Sequence, residues 1–273
     1  MTTNLALSAE NERLRNLQKS LKDQVSRLLT EKDDLFEHVE PYLNALYLDK
    51  IGSLQYEAYV IKTEIAKLKM EINLIQRYIN QNKSICFDDI NQELEAAAKE
   101  YRKMIELEAE KIRKARELLQ MTTLTNAECV EIKKLYHAIV KRLHPDLNPQ
   151  QTEQEKRWLW RAQQAYAIND LDEMRALSVI IENMENDKTD DRQDNELEKE
   201  VAHLRETVDK LLKDIEQIQE RFPFNQREFL FDNRKVEAKR EELKSEIEQK
   251  KKERNELQQY VNSLRLWKPG LLN

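Results

Sequence analysis

Two ladders of apolar residues constrain the fold of this chain more than any other feature. In each ladder, eight apolar residues alternate spacings of four and three without a fault. The first consists of Leu54, Ala58, Ile61, Ile65, Leu68, Ile72, Ile75 and Ile79, and the second of Leu197, Val201, Leu204, Val208, Leu211, Ile215, Ile218 and Phe222. Because this spacing places a single apolar stripe along a helix, it predicts two long helices that each pack against a partner helix.

Residues that form turns are scarce throughout the chain. The 273 residues include two glycines and five prolines, and 36% of them are charged. This composition offers too few turns for a β-sheet protein and too little apolar surface for one large core. We therefore predict an all-α fold in which elongated coiled-coil helical hairpins flank a small helical bundle.

The N-terminal segment, residues 1–50, is predicted to be a heptad helix. Its leucine positions are Leu7, Leu14, Leu21, Leu28 and Leu35, and the intervening core positions are Asn11, Gln18, Val25, Lys32 and Val39. Leucine at one core position with asparagine at the other favours a parallel dimer, so we expect a homodimer through coiled coils. The alternative is a helix that packs on the surface of its own chain. Pro41 is expected to interrupt this helix.

Two hairpins are predicted in the rest of the chain. A polar break at residues 80–84 divides 51–120 into two antiparallel arms, and Phe222-Pro223-Phe224 divides 197–273 in the same way. The segment 186–196 contains no apolar residue and is interpreted as a polar linker. The two ladders have equal length and phase, so they can also pair with each other, within one chain or across a dimer.

A proline-bounded loop joins two further helices. Pro145 pushes His144 out of the helical region, so the preceding helix is predicted to end immediately before it. Capping boxes, each a threonine with a glutamate three residues later, mark the starts of the two helices at Thr125 and Thr152. Two capped helices joined by a short loop predict an antiparallel helical hairpin.

This helical hairpin resembles a J domain, the module by which DnaJ-type co-chaperones engage DnaK-type chaperones. The resemblance rests on the basic helix Glu131-Ile132-Lys133-Lys134-Leu135-Tyr136, on His144-Pro145-Asp146 followed by Asn148-Pro149, and on Ala165-Tyr166 in the next helix. It implies a J-domain-like bundle over residues 112–185. The aromatic pair and Leu-Gly turn of the family's first helix are absent from residues 116–121, so we expect the second arm of the 51–120 hairpin to supply that helix.

The resemblance implies a co-chaperone that binds a DnaK-type chaperone and stimulates its ATP hydrolysis. Carried over residue by residue, the trigger is His144, Pro145 and Asp146, and the docking charges are Lys133, Lys134, Lys141 and Arg142. The residues assigned to the core of the hairpin are Tyr136, Leu143, Leu159 and Tyr166. The coiled coils are expected to dimerise the molecule and to recruit a client or scaffold protein. The alternative interpretation is a structural coiled-coil adaptor in which the J-like hairpin is a rigid, non-stimulating spacer.

Other functions find little support in the sequence. A net charge of −6 and a pI of about 5.6 argue against nucleic-acid binding, and no apolar run is long enough to cross a membrane. The four histidines and two cysteines show no metal-ligand spacing, and His38 and His203 are interpreted as helix-surface residues. We therefore expect no enzyme activity, no metal, no cofactor, no nucleic-acid or membrane partner, and a cytoplasmic location.

Overall fold

The structure, a computed structural model, describes residues 2–81, 83–121, 124–184 and 194–266. Throughout these residues the regular secondary structure is helical, so the predicted all-α fold is confirmed. The chain divides into two compact units. Unit 1 consists of Met1–Pro41 and Thr122–Asn225, and unit 2 consists of Tyr42–Met121 and Gln226–Asn273.

The described ranges contain ten α-helices. They are α1 (Thr2–Asp34), α2 (Glu40–Tyr47), α3 (Ser53–Asn80), α4 (Phe87–Gln120), α5 (Asn126–Leu143), α6 (Glu153–Ala167), α7 (Leu171–Glu182), α8 (Asp194–Glu220), α9 (Arg227–Phe231) and α10 (Asn233–Leu266). Two π-helical segments, Leu35–Val39 and Leu48–Gly52, lie on either side of α2. A short 3-10 helix, Phe224–Gln226, precedes α9.

In unit 1 the N-terminal helix α1 packs along α8 and also against α5. The buried stripe of α8 consists of Leu197, Val201, Leu204, Val208, Leu211, Ile215 and Ile218, and the buried residues of α1 include Leu21, Val25, Leu28 and Leu29. Lys32, a polar residue in the heptad pattern of α1, forms an ion pair with Asp214 of α8 at 2.6 Å. The structure thus contains the alternative arrangement, a helix packed on its own chain, and the homodimer stays a prediction.

Pro41 lies inside α2 and does not interrupt the helical backbone as expected. The π-helical segment Leu35–Val39 immediately precedes α2, and the N–H of Glu40 donates to the carbonyl of Leu35, five residues back. A π turn shifts the hydrogen-bond register by one residue, next to a proline that has no N–H to donate. The helix therefore continues past a residue that would otherwise have broken it.

In unit 2 the first ladder is the apolar face of α3, and much of it packs against α10. Ile61 and Ile65 of α3 lie in a buried cluster with Ile247 of α10, and Ile72 lies in another with Val261. The helices α3 and α4 share a third cluster, which consists of Leu74, Ile75, Ile90 and Leu94. Further along α4 the apolar stripe is exposed at Tyr101 and Met104.

The two arms predicted over 197–273 belong to different units, and each packs against a helix of its own unit. The first arm, α8, packs on α1 in unit 1, and the second arm, α10, packs on α3 in unit 2. This pairing differs from the hairpin expected from the sequence. The basic residues in the seam of α10 have acceptors in unit 2, because Arg240 donates to the carbonyl of Lys50 at 3.0 Å and Arg254 pairs with Glu64 at 3.0 Å. Their aliphatic stems can then lie along the apolar seam.

Candidate functional site

Both helices that flank the proline-bounded loop begin with the predicted capping boxes. At the start of α5, the N–H of Glu128 donates to the Thr125 hydroxyl at 3.3 Å, and the Thr125 N–H donates to the Glu128 carboxylate at 2.8 Å. At the start of α6, the same two bonds join Thr152 and Glu155 at 3.2 and 2.6 Å. Each box satisfies backbone donors that the first turn leaves free, so the starts of both helices are fixed, and the Thr152 box also fixes the end of the loop that leads into α6.

The loop itself is closed by backbone bonds to one carbonyl. The N–H groups of Leu147 and Asn148 both donate to the His144 carbonyl, at 3.0 and 2.8 Å. His144 is extended, with φ −67° and ψ 138°, as the following proline requires. Leu147 is buried, whereas Pro145 and Asp146 are exposed. The loop therefore presents Pro145 and the Asp146 carboxylate to solvent on a short, anchored turn.

His144 lies beneath the loop with its side chain 19% exposed. Its Nδ1 atom accepts a hydrogen bond from the Asp146 N–H at 3.2 Å. Burial lowers the pKa of His144, while the carboxylates of Asp146 and Asp33 oppose that shift. The imidazole is therefore neutral at pH 7, and because Nδ1 is an acceptor the ring proton is on Nε2.

The predicted core of the hairpin is confirmed. Tyr136, Leu143, Leu159 and Tyr166 are all buried. The rings of Tyr136 and Tyr166 are stacked, with centroids 4.1 Å apart and planes 5° apart. His38 lies edge-on to Tyr166 at 4.8 Å, and burial lowers the pKa of His38. The interpretation of His38 as a helix-surface residue was wrong, because its ring packs on this stack.

The hydroxyls of the stacked tyrosines donate hydrogen bonds to two carboxylates of α1. Tyr136 donates to Asp33 at 2.6 Å, and Tyr166 donates to Asp34 at 3.0 Å. Burial raises the pKa of Asp33, and the Tyr136 hydrogen bond opposes that rise. Burial together with the facing carboxylates also raises the pKa of both tyrosines. The tyrosines remain neutral donors, so α1 is attached to the α5–α6 hairpin by polar as well as apolar contacts.

The helix that accompanies the hairpin is α1, and not the end of α4 as expected. Residues 116–121 belong to unit 2, where α4 packs on α3 and on the π-helical segment Leu48–Gly52. The bundle predicted over 112–185 therefore lacks its assumed first helix and is completed by a segment about 100 residues earlier. The physical reason is that α1 offers both a buried leucine stripe and the Asp33 and Asp34 carboxylates to α5 and α6.

The four predicted docking charges occupy different surroundings. Lys133 forms an ion pair with Asp34 at 2.7 Å, and Lys141 forms one with Asp23 at 2.8 Å. Arg142 donates to the carbonyl of Met184, beyond α7. Lys134 is exposed and makes no ion pair within the described part of the chain. Lys134 is therefore the docking charge that is most available to a partner.

Sequence reasoning missed the acidic residues of α1 at this site. Asp23, Asp33 and Asp34 lie on the predicted N-terminal heptad helix without an assigned role, although all three contact α5 or α6. Lys141 and Lys133 lie 118 and 99 residues from their carboxylates. In a chain this rich in charge, an aspartate on a helix surface carries no signal of such a distant partner.

Neither a metal-binding cluster nor a membrane-spanning helix occurs in the described residues. Among them, no group of three or more histidine, cysteine, aspartate or glutamate side chains is arranged to hold a metal ion. None of the helices described is both long enough and apolar enough to span a membrane. Cys86 and Cys129 are free thiols.

No protein-family model, curated protein or solved structure matches this chain. The features that bear on the function of this chain are therefore the loop, the helix that precedes it and the contacts of both.

Proposed function

We propose that the protein is a J-type co-chaperone, which binds a DnaK-type chaperone through the His144-Pro145-Asp146 loop and stimulates its ATP hydrolysis. The observation that carries this proposal is the exposed Asp146 carboxylate, 47% accessible, on a loop that is closed on the His144 carbonyl. An ionised carboxylate held on a short rigid turn can form charge-assisted hydrogen bonds with a cationic site on a partner. Packing alone does not require an exposed aspartate or a half-buried histidine there.

The helix before the loop supports the proposal through its charges. Lys134 is exposed and has no ion pair among the residues that the structure describes, and Lys141 is 40% exposed although it is paired with Asp23. Lysines on an exposed helix face accelerate association with an acidic partner surface, and the effect weakens as salt is added. Stimulation by this protein is therefore expected to depend on ionic strength.

The long helical pairs supply a second function under this proposal. The α1–α8 and α3–α10 pairs expose charged residues along their outer sides, which suits recruitment of a client or scaffold protein. Homodimerisation through coiled coils and a cytoplasmic location belong to the same proposal. The chaperone would then be delivered to whatever the helical pairs bind.

A structural coiled-coil adaptor is the second candidate. It is favoured by one observation, the pairing of Lys133 and Lys141 with carboxylates of the same chain. In this case the α5–α6 hairpin is a rigid spacer, and the loop has no partner. The two candidates differ in whether a chaperone responds to the protein.

Single-turnover ATP hydrolysis by a DnaK-type chaperone purified from the same organism tests the proposal. Intact protein is expected to accelerate hydrolysis, and His144→Gln is expected to abolish the acceleration without loss of helicity. His203→Gln is the matched control, because His203 is exposed on α8 and far from the loop in sequence. If intact protein and His144→Gln leave hydrolysis equally slow at low and high salt, the adaptor is the better account.

A further inference from the structure

Asp23 joins two cations that lie on different helices. Its carboxylate accepts a hydrogen bond from Lys141 of α5 at 2.8 Å and another from Arg27 of α1. The hydrogen bond from Lys141 lowers the pKa of Asp23, so this carboxylate is ionised at neutral pH. A single carboxylate is therefore shared by two cations, which leaves one net positive charge. The Arg27 side chain is 72% exposed and the Lys141 side chain is 40% exposed.

An open cleft of about 400 Å³ follows the line where α1 and α5 meet. It is lined by Arg27, Thr30, Glu31, Asp34, Lys133, Lys134 and His137. Arg27 thus shares one surface with Lys134, the predicted docking charge that has no ion pair in the described residues. Five charged residues along this line, which are Asp23, Arg27, Lys133, Lys134 and Lys141, are named the α1–α5 seam, and the carboxylates of Glu31 and Asp34 line the same cleft. Four residues of the seam are cations, and the resemblance to a J domain supplied the three lysines among them but not Arg27.

We propose that the surface that docks an acidic partner extends from α5 onto α1, with Arg27 as a docking charge and Asp23 as an intramolecular competitor that holds Arg27 and Lys141. This inference rests on the proposed function, in which the acidic partner is the DnaK-type chaperone. A bound partner takes over the hydrogen bonds that Asp23 accepts in the free protein. Asp23 thereby weakens docking, and Arg27 strengthens it.

The competition takes place between side chains while α1 stays where it is. Val25, two residues from both Asp23 and Arg27, is fully buried, and Leu21 and Leu28 are buried on the same helix. Removing α1 would expose this stripe and its contacts with α8, which is far more costly than exchanging one exposed ion pair. Because exposed pairs are weak, Asp23 is expected to attenuate docking and not to prevent it.

Two single variants with opposite expected effects test this inference on the full-length chain. The probe is the ATP-loaded DnaK-type chaperone, and its Kd is measured by fluorescence anisotropy at low salt. Asp23→Asn is expected to lower Kd by about two- to fivefold, and Arg27→Gln to raise it by about the same factor, as is typical of exposed ion pairs. The controls are Asp209→Asn and Arg205→Gln, which make the same charge changes at exposed positions of α8.

A double variant separates a direct role of Arg27 from a general change in charge. If Arg27 docks directly, part of the affinity gained through Asp23→Asn comes from the release of Arg27. The gain in affinity is then smaller when Arg27→Gln is already present. The same gain in both backgrounds would overturn the role of Arg27. Circular dichroism and the unfolding midpoint of each variant verify that helicity is retained.

A second acidic probe separates this inference from the proposed function. Polyglutamate of about 20 residues presents only negative charge, so its affinity reports the α1–α5 seam without the chaperone. If the chaperone fails to bind but polyglutamate binding shifts in the two expected directions, the seam stands and its partner is another acidic protein. If Asp23→Asn and Arg27→Gln match their α8 controls with both probes, the inference is wrong.

Discussion

Tyr136→Phe is expected to destabilise unit 1 by about 2 kcal/mol at neutral pH. The substitution keeps the ring, which is 1% exposed and stacked on Tyr166, and removes only the hydroxyl that donates to Asp33 at 2.6 Å. A hydrogen bond to a charged group contributes roughly 1.5–3 kcal/mol, and losing it leaves a part-buried carboxylate without that donor. The ring contacts are unchanged, so the hydrogen bond accounts for the loss.

The pH dependence of this loss follows from Asp33. Burial raises the folded-state pKa of Asp33 above its value in the unfolded chain, and the Tyr136 hydroxyl counteracts part of that rise. A raised carboxyl pKa stabilises the fold below the unfolded pKa, and this stability is lost as the pH rises through the folded pKa. Tyr136→Phe raises the folded pKa further, so its destabilisation is largest at neutral pH and shrinks once Asp33 is protonated.

Urea unfolding followed by tryptophan fluorescence measures the effect, because Trp158 and Trp160 lie on α6 in unit 1. The free energies of unfolding are compared at pH 7 and at the most acidic pH at which the unmodified protein stays folded. Tyr166→Phe is the matched control, since its acceptor Asp34 retains an ion pair with Lys133 and the expected loss is nearer 1 kcal/mol. A loss of the same size at both pH values would refute the role assigned to the Asp33 charge.

Three further predictions concern packing and assembly. Leu204→Ala on α8 is expected to lower the stability of unit 1 by about 2–5 kcal/mol because Leu204 is 1% exposed, whereas Leu212→Ala, at 47% exposure, is expected to have little effect in the same urea titration. Ile75→Ala is expected to cost a similar amount in unit 2, which hydrogen exchange of α3 amides can detect without a change in the α5 amides. Sedimentation equilibrium is expected to give twice the 32.7 kDa chain mass, and a single-chain mass at high concentration would count against the homodimer.

Periodicity and capping chemistry predicted most of the long helices, although Pro41 was wrongly expected to interrupt one. The four-three spacing from Leu54 onward appears as α3, and the capping box at Thr125 begins α5 at the next residue. These signals are local, because a stripe and a cap are each satisfied within a few turns of one helix. The loop residues His144 and Asp146 were found for the same reason, since Pro145 fixes the backbone on either side of it.

The choice of partner helix could not be predicted in the same way. Every ladder with four-three spacing presents a similar apolar stripe, so α1, α3, α8 and α10 are interchangeable by pattern alone. The actual pairs are distinguished by individual contacts, such as Lys32 with Asp214 and Arg254 with Glu64. Such contacts join residues far apart in sequence, and the pattern of residues in one sequence does not indicate which of them pair.

The division of each unit between two separate stretches of chain affects how the protein is made. When α1 leaves the ribosome, its buried partner α8 lies about 160 residues further along the chain. At synthesis rates of roughly 5–20 residues per second, the leucine stripe of α1 has no α8 to pack against for a period on the order of 10–30 s. The nascent N-terminal helix is thus exposed to other hydrophobic segments throughout that interval, and a fragment cut at residue 185 would remain in that incomplete state.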